Sequence, residues 1–103
     1  MEQPAKREPR TEEQQREKII SSFYRDGELL SIPTKAAKRD IVLAFLAEEL
    51  FEQGRVYTER EVNAKLMFVF SDHCRLRREL VDAGLLERER DGSEYRVGER
   101  SER

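Results

Sequence analysis

The residues best equipped for chemistry in this chain are cations. His73, Arg75, Arg77 and Arg78 crowd into the stretch DHCRLRREL, and Arg88, Arg90 and Arg96 follow in ERERDGSEYRV. A guanidinium is a planar fork of donors that can take a phosphate, or the O6/N7 edge of a guanine, with two parallel N–H groups. Nucleic acid is therefore the ligand these residue types suit, with the first group reading base edges and the second touching backbone or minor groove. Lys35, Lys38 and Arg39 form a third group just ahead of a long apolar run. Cations at the start of a helix oppose its dipole by a few tenths of a kcal/mol each, so a phosphate bound there would relieve the opposition.

The charge balance offers a plainer reading. The whole chain carries 20 Lys and Arg against 22 Asp and Glu, a net of -2, so no overall field draws it to a polyanion. Residues 71–97 hold six arginines against seven acids, and i, i+4 pairs such as Arg75 with Glu79 and Arg78 with Asp82 account for the pattern as a solvated face. Catalysis has little support, because the one histidine has no partner at a spacing diagnostic of a triad or metal site. Cys74 follows it directly, and neighbours on a helix diverge by about 100°, so the two are expected to point apart. With no Gly-rich phosphate loop, Cys-x-x-Cys pair or calcium loop, the expectation is a non-enzyme without cofactor or metal.

A different kind of site is suggested by Leu66-Met67-Phe68-Val69-Phe70. Five consecutive apolar residues on one helix cannot all face one core. Two coverings are open: a wide face shared with the N-terminal helix, or a surface at Met67 and Phe68 for a partner protein or a second copy.

The elements that must position these residues are legible from caps and periodicity. Thr11 and Gln14 make a capping box for a helix from Glu12 to about Tyr24, whose apolar residues Ile19, Ile20 and Phe23 lie in its second half; Asp26-Gly27 ends it. Leu29, Leu30 and Ile32 form a connector closed by Pro33. Thr34 is the expected cap of a central helix from Lys35 to about Phe51, apolar nearly all round, with Gly54 as its left-handed stop. Val56-Tyr57 reads as extended, and Thr58 with Glu61 opens the next helix, whose inward stripe is Val62, Leu66 and Val69 or Phe70. Ser71 or Asp72 caps a last helix with Leu76, Leu80 and Val81 inward and Arg75, Arg78, Glu79 and Asp82 outward. After Ala83-Gly84 the period changes to two, and Asp91-Gly92 signals a hairpin.

The predicted fold is mostly α with a small β-hairpin, a winged helix-turn-helix preceded by an extra N-terminal helix. At 103 residues there is room for one domain, placed at 11–97, with charged tails at 1–10 and 98–103. A single cysteine, no apolar run near 20 residues and no signal-peptide pattern lead to the expectation of a cytoplasmic protein without a membrane partner.

The chain also resembles a known family, the domain of unknown function 2087, found at the C-terminus of some arsenic-repressor-type regulators and as a stand-alone bacterial protein. The residues that carry the resemblance are Ile-Pro at 32–33, the basic Lys35 to Arg39, LAEE at 46–49, GRVYTEREVN at 54–63, DHCRLRRELVDAGLLER at 72–88 and Tyr95-Arg96. The sequence departs from the family pattern at Lys65, Met67, Phe68 and Cys74-Arg75. The resemblance implies a winged-helix-like domain with a role in transcription regulation; in the regulators that carry it, a separate helix-turn-helix is the expected DNA reader. The leading expectation is thus a transcription-regulator-type module that binds double-stranded DNA through Lys35, Lys38, Arg39, His73, Arg75, Arg77, Arg78, Arg88, Arg90 and Arg96. The alternative is a winged helix for protein contact or dimerisation without DNA. No small-molecule substrate is implied.

Overall fold

The computed structural model describes residues 11–98. The expected tail at 1–10 and residues 99–103 lie outside the described residues. The chain runs α1 (Glu12–Phe23), β1 (Tyr24–Arg25), β2 (Glu28–Leu29), α2 (Ala36–Leu50), β3 (Val56–Thr58), α3 (Glu59–Met67), α4 (His73–Asp82), β4 (Leu86–Arg88) and β5 (Glu94–Val97). This is a mixed α/β arrangement of four helices and two small antiparallel sheets among the described residues, with more strand than the sequence suggests.

Local chemistry explains most boundaries. Thr11 and Gln14 exchange both bonds of a capping box at α1, and Thr58 and Glu61 do the same at α3. Asp72 caps α4 by accepting from the Arg75 N–H at 3.3 Å. At α2 the expected cap is displaced: Lys35, not Thr34, is the N-cap, and it makes no side-chain cap bond. The Thr34 carbonyl instead accepts from Arg39 Nη1 at 3.0 Å. The helix ends at Leu50 with Phe51 as C-cap, and Gly54 lies in the turn beyond it.

The additional sheet is a ribbon in which Tyr24 faces Leu29 and Arg25 faces Glu28. Its turn, Asp26-Gly27, has φ of 56° and 80°, the two left-handed residues that a tight two-residue hairpin requires and that Asp-Gly tolerates. Leu29 N–H donates to the Val69 carbonyl at 2.8 Å, and Leu30 N–H to the Phe23 carbonyl at 2.7 Å. The ribbon thereby joins the end of α1 to the turn after α3.

In the second sheet β5 is central, with β3 on one side and β4 on the other, both antiparallel. Leu86, Tyr95 and Val97 face inward from it and meet Val42, Leu43, Leu46, Val62, Leu66, Leu76 and Leu80 in one continuous core. A leucine fully buried in this way contributes about 1.5–3 kcal/mol relative to exposure. Phe51 meets Tyr57 edge-on at a centroid distance of 5.1 Å, and the Tyr57 hydroxyl accepts from the Glu52 N–H at 2.8 Å. This bond ties the end of α2 to the first strand of the sheet.

α1 lies on α2: Ile20 is buried, Tyr24 packs edge-on against Phe45 at 5.1 Å, and Arg16 pairs with Glu48 at 3.6 Å. Gly98, read from sequence as the start of a tail, is buried and donates to the Leu85 carbonyl at 2.8 Å.

Candidate nucleic-acid interface

The helical period puts Arg75 and Arg78 on the outward face of α4, opposite buried Leu76 and Leu80. Both arginines are exposed. Of the two expected i, i+4 pairs, Arg75 Nε reaches Glu79 Oε2 at 4.0 Å, whereas Arg78 forms no ion pair with Asp82 among the described residues. Glu79 is half-buried rather than fully outward, because its other oxygen faces α2: Arg39 Nε lies 3.9 Å from Glu79 Oε1. The first turn of α2 is thus brought beside the middle of α4. Lys35 and Lys38, both exposed, flank Arg39 there, and no acid lies in that first turn. A count along residues 71–97 cannot register this gathering, because its α2 members come from far upstream.

Arg77 is placed differently from its neighbours. It is half-buried, and its Nη1 donates to Asn63 Oδ1 across the seam between α3 and α4. Close by, the Tyr95 hydroxyl donates to Glu59 Oε1 at 3.1 Å. Burial pushes the Tyr95 phenol above the ordinary tyrosine value, and the bond to Glu59 adds to the effect. Arg77 therefore stitches helices together.

His73 is the first residue of α4, half-buried, and its Nε2 lies 3.7 Å from the exposed Cys74 Sγ. This corrects the expectation that the two side chains diverge: at the first turn no preceding helical turn blocks the ring, and its length spans the angular gap.

The hairpin arginines do not share a face. Glu87 lies opposite Arg96 and Arg88 opposite Tyr95 in the register, so strand alternation sends Arg88 and Arg96 to opposite sides. Arg96 Nη2 donates to Glu89 Oε2 at 3.0 Å, and the Arg88 guanidinium carbon lies 6.0 Å from the centroid of the Tyr95 ring. Arg90 is exposed in the loop, among Glu89, Asp91 and Glu94. That loop is held by Asp91, whose Oδ1 accepts from Ser93 Oγ at 2.7 Å and Ser93 N–H at 2.9 Å; these bonds hold its carboxyl below the usual aspartate value.

The apolar run 66–70 resolves through the end of α3. Leu66 and Val69 are buried, Phe70 is half-buried, and the helix stops at Met67. Met67 is 59% and Phe68 84% exposed, and α1, packed on α2, does not cover them. Leu30, 52% exposed, completes a rim around a shallow groove floored by Leu29, Val69 and Phe70. From sequence alone Leu30 is a connector residue with no such role. The signal that could have found it was the Asp26-Gly27 hairpin.

A family model described as "Uncharacterized protein conserved in bacteria (DUF2087)" matches residues 28–97. The chain belongs to that family. The DUF2087 match opens at β2 and closes on the last residue of β5, so it holds the α2–α4 cations, the hairpin and the apolar rim, while α1 and β1 precede it. Comparison with curated proteins and with solved structures gives no match. No helix among the described residues is long and apolar enough to cross a membrane, and no group of three or more His, Cys, Asp or Glu side chains there is placed to hold a metal ion.

Proposed function

We propose that this chain is a winged helix-turn-helix module that binds double-stranded DNA in transcription regulation, with α4 as recognition helix and β4–β5 as wing. The observation that carries the reading is the order α2, β3, α3, α4, β4, β5 with β3 and β4 flanking β5, which leaves Arg75 and Arg78 exposed along one face of α4. A recognition helix of this kind enters the major groove and presents its N-terminal outward residues to base edges. Arg39, which lies beside α4 through Glu79, and the exposed Lys35 and Lys38 near it support this reading as candidates for backbone phosphate contacts. On this reading phosphate contacts, those of Arg39 and Arg75 among them, fix position, and Arg78 is the arginine left for base discrimination.

The test is NMR shift mapping with a mixed-sequence duplex at low salt. Arg75, Arg78 and Lys38 amides are expected to move and the solvent face of α1 to stay still. With about four phosphate contacts the slope of log K against log salt should be near -3.6. Unmoved α4 resonances would reject the reading.

A second reading is favoured by the rim of Leu30, Met67 and Phe68: a winged helix used for protein contact or self-association. Large exposed apolar clusters of this sort mark interaction surfaces. Sedimentation equilibrium is expected to show concentration-dependent association that Met67→Asp and Phe68→Asp abolish. A strictly monomeric profile, unchanged by both variants, would remove the self-association form.

A further inference from the structure

We infer that Glu79 is an internal competitor for phosphate, occupying the space between Arg39 and Arg75 so that sequence-independent polyanion binding stays weak; the inference rests on the DNA-binding reading. Each oxygen of the Glu79 carboxylate faces a different guanidinium, Oε1 toward Arg39 at 3.9 Å and Oε2 toward Arg75 at 4.0 Å. Both distances exceed the roughly 2.7–2.9 Å of a charge-assisted hydrogen bond. The attraction is therefore Coulombic and loose, and neither arginine is hydrogen-bonded to this carboxylate. Arg39 is further steadied by its bond to the Thr34 carbonyl at 3.0 Å, so it stays in place when the competitor is displaced.

A backbone phosphate arriving at this seam offers shorter, hydrogen-bonded contacts to the same two groups. It must do so beside the half-buried Glu79 carboxylate. The like-charge contact costs affinity at every site on a duplex equally, whereas base contacts by Arg78, which carries no ion pair among the described residues, differ from site to site. A uniform penalty of this kind cancels in the ratio of specific to non-specific affinity, because discrimination is a difference; it lowers absolute affinity everywhere, so that only sites with strong base contacts stay bound at a given concentration.

The experiment is a fluorescence-anisotropy titration of a mixed-sequence duplex with wild type, Glu79→Gln and Asp82→Asn, each confirmed folded by its melting curve. Glu79→Gln is expected to bind roughly three- to tenfold tighter, the range that two freed surface ion pairs allow, with a salt slope steeper by about 0.9 per phosphate gained. Asp82→Asn removes the same charge from the same helix without freeing an arginine and is expected to gain less than about twofold. Equal gains for the two variants would overturn the inference and leave DNA binding standing. Failure of wild type and Glu79→Gln alike to bind at low salt would overturn both. Arg75→Gln and Arg78→Gln give a check that does not depend on replacing Glu79: replacing Arg78, which has no ion pair among the described residues, is expected to cost more affinity than replacing the Glu79-paired Arg75. The reverse order would also overturn the inference.

Discussion

The arginines of α4 and those of the hairpin are equal in number and opposite in consequence. Arg75, Arg77 and Arg78 lie on a helix, whose period puts two of them on one outward face and turns the third into the α3–α4 seam. Arg88 and Arg96 lie on strands, whose period sends them to opposite sides of the sheet, and Arg90 sits in a loop lined with acids. A helix concentrates like charges, and α2 adds to the concentration through Arg39. The hairpin disperses its charges and neutralises them locally through Glu89 and its neighbours. Equal arginine content is thus a poor guide to equal affinity for a polyanion, and under the proposed function the α2–α4 seam would carry most of the binding energy.

The comparison can be broken most forcibly by separating the two regions. A Cβ on Gly98 would stand 2.1 Å from the Gly84 carbonyl oxygen, a clash with backbone that no rotamer relieves. Gly98→Ala is expected to cost about 3 kcal/mol in denaturant unfolding, and a loss under about 0.5 kcal/mol would show that the hairpin is not seated on the end of α4. Within the α4 group, Arg77→Ala should cost about 1.5 kcal/mol through its bond to Asn63, while Arg78→Ala stays within about 0.5 kcal/mol. Equal stabilities for those two variants would erase the distinction drawn between them.

Tyr95→Phe should cost about 1 kcal/mol at neutral pH by removing the bond to Glu59. The phenol's folded value is raised, chiefly by burial. Its stabilising contribution is therefore complete below the unfolded value near 10.0 and is lost as pH rises through the folded one. The wild-type advantage over Tyr95→Phe should narrow above that point; an advantage constant from neutral pH to the alkaline limit would contradict the assignment. The smallest effect belongs to the hairpin surface. Arg96→Ala should change stability by less than about 0.5 kcal/mol, and Ser93→Ala should return the Asp91 carboxyl toward its ordinary value in an NMR titration. An Asp91 unmoved by Ser93→Ala would mean that the loop is held by something else.

Capping boxes and apolar periods made α1, α3, α4 and most of the core readable from sequence, because these depend on residues three or four positions apart. The two Asp-Gly pairs show where that legibility ends. In sequence Asp91-Gly92 signals a hairpin and Asp26-Gly27 a helix stop, yet the second makes the tighter hairpin, with both residues left-handed, while at 91–92 only the glycine is. The Asp26-Gly27 ribbon is fixed by Val69 and Phe23, whose carbonyls take its Leu29 and Leu30 amides, and no local rule contains that. The site divided in the same way. The exposed face at Arg75 and Arg78 followed from helical period, but Glu79 meeting Arg39 is a contact between distant segments, and Arg77 turning inward depends on the position of Asn63. Met67 and Phe68 were readable as surplus to one core; that α1 would leave them uncovered was a matter of tertiary packing on α2.

The close approach of Gly98 to Gly84 has a consequence for any duplex that engages both α4 and the hairpin. The strand leaving β5 is bonded to Leu85 with no space for a side chain between the two backbones, so helix and hairpin present themselves as the two fixed jaws of a caliper. If DNA is bound as proposed, a caliper held at this spacing measures its object. Sites whose groove width and curvature already fit the gap would be favoured over stiffer ones with the same contacted bases, and any bending needed to close the fit would be done by the DNA.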